Sequence, residues 1–412
     1  MIAAADRRHV VLGVSGGIAA YKACELLRLF TESGHDVSVV PTAAALEFVG
    51  APTWAALSGK PVSADVWASV HEVPHVRIGQ SADLVVVAPA TADLLAKAAH
   101  GLADDLLTNT LLPARCPVVF APAMHTEMWE HPATQDNVTT LRRRGSVVIE
   151  PAEGRLTGAD TGKGRLPDPV EIYETALEVL ARAGQGKAQD LAGRHVVVSA
   201  GGTREYLDPV RFLGNRSSGL QGCALARTAV ARGAEVTLVA ANVAQPEPAG
   251  VKVVRVETTA ELRDAVLAAA QTADAVVMAA APSDFRPSRV SGSKIKKSED
   301  GSTPTIELEQ NPDILAEISR DRARARSVIV GFAAETGDES GGVLEHATAK
   351  LTRKGCDLLV VNDVSGGKVF GSPETEAVVL DASGEATTVP RGSKAALAHV
   401  IWDRVVARLE TG

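Results

Sequence analysis

One short device stands twice in this chain, near its start and again near its middle. His9-Val-Val-Leu-Gly-Val-Ser-Gly-Gly17 is echoed by His195-Val-Val-Val-Ser-Ala-Gly-Gly-Thr203. Each is a β-branched apolar run with the character of a strand buried on both faces, and each is broken by a glycine pair. After Gly17 the residues from Ile18 to Thr31 run at helical spacing. Strand, glycine turn and helix start together make a place for an anion, because free N–H groups point outward and the helix dipole favours negative charge. An ordinary tight strand-to-helix turn has the same look, and this stretch alone leaves both readings open.

A chain of 412 residues exceeds what one core usually serves, so the repeated device predicts two α/β domains. In the first half, strands are expected at 9–14, 36–41, 83–88, 117–121 and 146–150, with helices at 18–33, 42–48, 91–100 and 132–144. Alternation of this kind means a parallel sheet covered on both faces, with ligands beyond the C-terminal strand ends. Ser15–Gly17, Pro41-Thr42 and Ala88-Pro-Ala-Thr-Ala-Asp93 should therefore converge. Residues 151–169 read as a Gly- and Pro-rich flap, 170–182 as a helix and 183–190 as a linker.

In the second half, strands are expected near 195–200, 235–240, 252–256, 274–280, 327–332 and 357–361, with an edge hairpin at 376–381. Helices are expected near 219–232, 259–271, 312–322, 341–355 and 392–410. Asn311-Pro312 reads as a helix start, a capping Asn followed by Pro at the first helical position. Arg286 to Pro304 reads as a polar surface loop.

A net charge of −8 argues against a nucleic-acid surface, which needs clustered Lys and Arg. The cysteines Cys24, Cys116, Cys223 and Cys356 are far apart and form no CxxC, which fits a reducing, cytoplasmic setting. No apolar run approaches the ~20 residues of a membrane helix, so no membrane is expected as partner. The long loop after the second glycine pair is not GxGxxG, and neither half supplies that motif with an acidic residue downstream. A nicotinamide oxidoreductase is disfavoured on that ground.

Several chemistry-bearing residues remain open when read singly. His75, in Pro74-His75-Val76-Arg77-Ile78 just before a buried strand, is either a proton-exchanging imidazole or a structural histidine. Met124, Met128 and Trp129 either fill a core or line a flat apolar pocket. Lys294-Ile-Lys-Lys297 alone reads as a solvated loop.

Taken in order, the motifs form a recognisable series. The N-terminal pieces are Ser15-Gly-Gly-Ile-Ala-Ala-Tyr-Lys22, His75, Ala88-Pro-Ala-Thr-Ala-Asp93 and Pro122-Ala-Met124 with Met128. The later pieces are Gly201-Gly-Thr-Arg-Glu205, Asp208-Pro-Val-Arg211, Asn215-Arg-Ser-Ser-Gly219, Lys294-Ile-Lys-Lys297, Asn311-Pro-Asp-Ile314 and Gly331-Phe-Ala-Ala-Glu-Thr336. With these motifs the N-terminal half resembles the flavin-dependent cysteine decarboxylases. The whole chain resembles the bifunctional phosphopantothenoylcysteine decarboxylase/phosphopantothenate–cysteine ligases of coenzyme A synthesis.

The resemblance implies a flavodoxin-like, doubly wound parallel sheet over residues 1–182, a linker at 183–190 and a Rossmann-like ligase domain over 191–412. It implies FMN, with Ser15, Gly16, Gly17 and Thr42 around its phosphate and Ala90, Thr91 and Met124 along the rest. His75 would be the base as 4′-phosphopantothenoylcysteine loses carbon dioxide. For the second half it implies that CTP activates 4′-phosphopantothenate as an acyl-cytidylate, which the cysteine amine then attacks. Met278, Ala279, Ala280, Asp284, Lys294, Pro312, Asp313, Ile314, Leu315, Phe332, Lys350 and Lys354 fall at nucleotide-contact positions. Arg211 and Asn215 would orient the acyl intermediate, and Lys294 would neutralise the reacting phosphate with magnesium assisting. The metal ligands are not identified by it. The same resemblance implies a homo-oligomer in which flavin domains trimerise and ligase domains pair.

The chain departs from the family pattern twice. His125 stands where the family has an Asn that holds the substrate carboxylate, and Gly158 stands where the flap has a proton-donating Cys, although Asp160 is retained. A non-catalytic flavoprotein would fit those two losses; His75 and the complete ligase series argue against it.

Overall fold

The structure, a computed structural model, describes residues 7–62, 74–156, 161–184, 189–296, 303–322, 327–335, 343–363 and 374–411. The chain divides into two compact units. Unit 1 is Met1–Gly193 with Val230–Ala234 and Pro248–Val251, and unit 2 is Arg194–Ala229, Glu235–Glu247 and Lys252–Gly412.

In unit 1, β1 (His9–Val14), β2 (Asp36–Pro41), β3 (Leu84–Ala90), β4 (Val118–Pro122) and β5 (Val147–Val148) form one parallel sheet in the order β2-β1-β3-β4-β5. This is the flavodoxin-like order, with the topological switch between β1 and β3. Every residue of the central β3 is buried. Its Val85 and Val87 pack with Leu94, Leu107, Phe120 and Trp129. Each such apolar side chain contributes about 1.5–3 kcal/mol on burial.

Four helices frame the site of unit 1: α1 (Ala23–Glu32), α2 (Ala43–Leu46), α3 (Pro74–Ser81) and α4 (Ala92–His100). Two short ones follow, α5 (Leu106–Leu111) and α6 (Thr126–Glu130). The sequence reading expected none of α3, α5 and α6. They are too short to show a period, and contacts or caps made elsewhere hold them. In α5 the Asp105 and Thr108 side chains cap each other's backbone. The expected helix from Ile18 begins instead as a 3₁₀ segment, Ile18–Lys22. The expected flap loop contains an antiparallel hairpin of β6 (Ala152–Arg155) and β7 (Thr161–Arg165). Its glycines hide the strand signal. Gly158 and Asp160 lie outside the described residues.

Unit 2 holds β8 (His195–Gly201), β9 (Glu235–Ala241), β10 (Val251–Val256), β11 (Ala275–Met278), β12 (Val328–Glu335), β13 (Leu358–Asp363), β14 (Glu374–Asp381) and β15 (Ala386–Ser393). They lie in the order β10-β9-β8-β11-β12-β13-β14-β15. The first six follow the Rossmann order 3-2-1-4-5-6. The last two run antiparallel to their neighbours and extend the sheet. The strand at the edge is β15, a second full strand beyond the edge hairpin expected at 376–381. Its polar, Pro- and Gly-containing sequence is what an edge strand tolerates.

The helices that bear on the site of unit 2 are α7 (Leu220–Ala231), α8 (Ile314–Arg320), α9 (Val343–Lys354) and α10 (Lys394–Thr411). The start of α8 differs from expectation. Asp313, not Asn311, is its cap, accepting from the Ala316 N–H at 3.1 Å. Asn311 turns inward, and its Nδ2 donates to the Ser283 carbonyl at 3.0 Å. The chain stays extended through Asp313, which moves the cap two residues on. The expected loop after Arg286 is closed at its base, where Phe285–Pro287 pairs with Leu308–Gln310.

Candidate active sites

In unit 1 the loops after β1, β2 and β3 meet at one sheet edge, because those strands are neighbours. Ser15 is 2% exposed; its Oγ donates to the Pro89 carbonyl at 2.8 Å and accepts from the Thr91 N–H at 2.9 Å. The Ser15 hydroxyl, donor and acceptor at once, thus clamps the loop after β1 to the loop after β3. Thr42 is tied in by its N–H to the Val14 carbonyl at 2.9 Å. Thr42 Oγ1 accepts from the Ala45 N–H and Thr91 Oγ1 from the Leu94 N–H, at 3.2 and 3.4 Å. Neither threonine donates its hydroxyl hydrogen to another described residue. Both hydrogens are available to an anion at this edge.

The two glycines of the turn do different work. A Cβ on Gly16 would overlap the Ala44 side chain and lie 2.9 Å from the Ala44 carbonyl carbon, so α2 can approach only a glycine. A Cβ on Gly17 would meet only the Thr91 methyl, at 3.7 Å. Gly17 is extended, with φ −163°, so the fold itself does not require glycine there. The missing side chain leaves bare backbone beside the Thr91 side chain.

His75 stands in the first turn of α3, which leads into β3; at the start of that strand the Asp83 N–H donates to the His9 carbonyl at 2.8 Å. His75 Nδ1 is buried and makes no hydrogen bond to a described residue. A histidine held for structure alone normally has its buried nitrogens satisfied.

The end of β4 carries Met124 and His125 beneath the hairpin. Met124 N–H donates to the Gly164 carbonyl at 2.9 Å. Cβ atoms on Gly162 and Gly164 would overlap the Thr126 hydroxyl and the Met124 carbonyl. Lys163 anchors the hairpin, with its ammonium 2.6 Å from Glu150 and 6.0 Å from the Trp129 ring centre. Burial would raise the Glu150 pKa, but Arg142 and Lys163 outweigh it and hold the carboxyl below its ordinary value. His125 is exposed at the N-terminus of α6 and makes no capping bond. Ala90 closes the floor, its carbonyl accepting from the Ala123 N–H at 3.1 Å.

In unit 2 a cavity of about 720 Å³ opens at the C-terminal ends of β11, β12 and β13 and beside the start of α7. Its wall contains Asn215, Met278–Ala280, Asp284, Pro312–Leu315, Phe332, Lys350 and Lys354. These are all the expected nucleotide contacts except Lys294. Asn215 Nδ2 donates to the Pro282 carbonyl at 2.8 Å, pinning one loop to the other. Lys354 pairs with Asp313. Burial would raise the Asp313 pKa, but the hydrogen bond from Lys354 and the Ala316 N–H outweigh it and lower it.

Arg211 and Lys294 are not part of that wall. Arg211 Nε donates to Asp208 Oδ2 at 3.0 Å, and its Nη2 donates to the Ile295 carbonyl. Asp208 is fully buried and also accepts from the N–H groups of Val210, Arg211 and Ile295, at 2.8, 2.9 and 3.2 Å. Lys294, next to Ile295, is exposed. The wall also holds Ser217 and Ser218, within the Asn215–Gly219 motif but given no role there, and Arg353 and Lys394, which no motif marks. Among the described residues no group of His, Cys, Asp and Glu could hold a metal ion, and no helix is long and apolar enough to cross a membrane.

Residues 3–181 match the family described as Flavoprotein, and residues 191–409 match the DNA/pantothenate metabolism flavoprotein C-terminal domain. Fold and matches together define a flavoprotein joined to a pantothenate-metabolism domain. The chain is 59% identical over 407 residues to the coenzyme A biosynthesis bifunctional protein CoaBC of Mycobacterium tuberculosis (strain ATCC 25618 / H37Rv), covering 98% of this chain and 97% of that one. It is 40% identical over 407 residues to the Bacillus subtilis (strain 168) protein of the same name, covering 98% and 97%. The crystal structure of the C-terminal domain of a CoaBC protein matches with TM-score 0.46 and 33% identity, covering 55% of this chain and all of that one. A mutant PPC decarboxylase complexed with pantothenoylaminoethenethiol matches with TM-score 0.40 and 32% identity, covering 44% and 100%. The chain belongs to the family of coenzyme A biosynthesis bifunctional proteins, and it is an enzyme of that pathway with decarboxylase and ligase activities.

Proposed function

We infer that residues 191–412 join cysteine to 4′-phosphopantothenate at the expense of CTP, and that residues 1–182, beyond a linker at 183–190, decarboxylate the product with FMN. For unit 1 the carrying observation is the edge where three loops converge, and His75 adds a buried imidazole nitrogen that bonds to no described residue. The donor set there fits a flavin phosphate: two uncommitted threonine hydroxyls, at Thr42 and Thr91, and the bare backbone of Gly17. Ser15 and Gly16 hold that cradle in shape, and Ala90 and Met124 flank the rest. FMN, when bound, supplies reversible two-electron oxidation of the cysteine end, which makes loss of carbon dioxide easy. His75 takes up the proton released at that end. His125, under the hairpin, orients the substrate carboxylate in place of the usual Asn.

For unit 2 the carrying observation is the single cavity that gathers the nucleotide-contact residues from five separate stretches of chain. A carboxylate oxygen of 4′-phosphopantothenate attacks the α-phosphorus of CTP, and pyrophosphate leaves. The cysteine amine then attacks the acyl carbon, loses a proton, and CMP leaves. Asn215 and Arg211 orient the acyl group. Lys294 neutralises charge that builds on the phosphates, as does Mg²⁺.

Exposed Val210, Phe212, Phe285 and Val290, at 59, 46, 52 and 64%, support pairing of ligase domains. Exposed Ile18 and Tyr21, at 68 and 60%, lie in the segment after the flavin turn and support association of flavin domains. Four free cysteines support a cytoplasmic setting. Expressing residues 1–185 and 190–412 separately tests the assignment. Yellow colour should stay with the first piece, and pyrophosphate release from CTP and 4′-phosphopantothenate with the second. Flavin tracking with residues 190–412 would overturn it.

A further inference from the structure

The wall of the ligase cavity holds a cation that the reaction above does not use. Lys394 is the first residue of α10 and lines the cavity together with Ser217 and Ser218. Its carbonyl accepts from Gln221 Nε2 at 3.2 Å, which sets it beside the first turn of α7.

Three features of this position work against a positive charge. The residue is partly buried, and burial pushes its ammonium pKa down. It stands at the N-terminus of an 18-residue helix, where the dipole repels cations. No described carboxylate pairs with it, whereas Lys354 in the same wall has Asp313. A charge kept under these conditions calls for an anion from outside the chain.

The neighbouring donors indicate which kind of anion. Ser217 Oγ accepts from the Gly219 N–H at 3.3 Å and Ser218 Oγ from the Leu220 N–H at 3.5 Å. Neither hydroxyl donates its hydrogen to a described residue. An ammonium and two hydroxyls, beside the starts of a 12-residue and an 18-residue helix, match a tetrahedral dianion better than a single carboxylate.

We propose that Lys394 is a further binding residue of the ligase cavity, contacting a substrate phosphoryl group. The group is the triphosphate of CTP or the phosphate monoester of 4′-phosphopantothenate. The proposal rests on the ligase reading of unit 2.

Steady-state ligation by the full chain, with each of the three substrates varied in turn, tests it. Lys394→Gln keeps length and helix propensity but removes the charge. It should raise KM for one phosphate-bearing substrate about tenfold, the worth of one charge-assisted hydrogen bond. KM for cysteine and the rate of decarboxylation should not change, and Lys394→Arg should restore most of the loss. If the triphosphate is the group, inhibition by added pyrophosphate should weaken in parallel with the KM for CTP. If it is the monoester, only the KM for 4′-phosphopantothenate should move. The proposal is overturned if both of those KM values stay within twofold of the unmodified protein, or if only the KM for cysteine rises. Should the Gln variant melt early, Lys394→Met, which keeps the apolar stem, gives the same comparison. Failure of the ligase reading would look different: the unmodified chain would release no pyrophosphate.

Discussion

In unit 1 the His9 N–H donates to Asp83 Oδ2 at 2.8 Å, and in unit 2 the His195 N–H donates to Asp274 Oδ2 at 2.9 Å. The return bonds also match: Asp83 N–H to the His9 carbonyl at 2.8 Å, and Asp274 N–H to the His195 carbonyl at 2.7 Å. Each ring Nε2 then meets a hydroxyl on the next strand, Ser38 at 2.9 Å and Thr237 at 3.0 Å. Each first strand also carries or precedes a serine whose Oγ accepts a backbone N–H from beyond the neighbouring strand, Ser15 from Thr91 and Ser199 from Ala280. The two sheets are fastened alike.

Past those fastenings the units diverge. After β1 the chain turns at once through Gly16 and Gly17 into a 3₁₀ segment. After β8 a loop runs from Gly202 to Gly219 before α7 begins. A short turn presents bare backbone at close range and suits a tightly held cofactor. A long loop builds the wall of a 720 Å³ cavity and suits several substrates together. The sheet supplies the edge, and loop length decides what the edge holds.

The sharpest way to break this comparison is a reciprocal pair. His75→Asn should lower carbon dioxide release by about three orders of magnitude or more, with ligation within twofold. Lys294→Gln should lower pyrophosphate release by roughly two to three orders of magnitude, because one ammonium near the reacting phosphates is lost, with decarboxylation unchanged. Either variant losing both activities would end the separation of function between units.

The next effect concerns a single departure from the family. His125→Ala should cut decarboxylation by roughly two orders of magnitude if the ring orients the substrate carboxylate. His125→Asn should cost less; equal losses would show a role for the ring beyond orientation.

The glycine pair sharpens the account of the short turn. Gly16→Ala should destabilise unit 1 by roughly 1–3 kcal/mol, because the new methyl meets Ala44. Gly17→Ala should leave the melting temperature of flavin-free protein unchanged and weaken flavin binding about tenfold, read by fluorescence titration. A fold cost at Gly17 would move it from cradle to scaffold.

The smallest effect tests the shared fastening. Asp83→Asn and Asp274→Asn each keep an acceptor but lose the charge, and each should cost about 1 kcal/mol. Chemical denaturation of the full chain should show the two losses to be equal within error. A clear inequality would mean that the matched geometry is not matched energetically.

The echo of His9–Gly17 in His195–Thr203 already announced two sheets, and the strands of both were legible from their valine runs. Much of the ligase wall was legible as well, since Asn215–Gly219 and Asn311–Ile314 stand in the ordered series of motifs. What escaped was set by partners distant in sequence. The α3 helix that carries His75 spans only Pro74–Ser81, too short to stand out as a helix from its sequence. The cap of α8 moved from Asn311 to Asp313 because Asn311 found the Ser283 carbonyl. Lys394 carries no local signal; only the meeting of α7 and α10 gives it a place in the wall.

The buried carboxylate of Asp208 has a bearing on how this enzyme can vary. It grips the chain at Val210, Arg211 and Ile295, and the Ser291 N–H adds a second tie to the Leu207 carbonyl at 2.9 Å. Arg211 and the loop that carries Lys294 are thus measured from one post, like two hands of a gauge on one spindle. A residue inserted between Asp208 and Arg211, or between Ser291 and Ile295, would shift one hand against the other and misalign both steps of ligation. Insertions that leave both ties intact would leave the gauge set, so length differences that preserve the activity belong outside those two intervals.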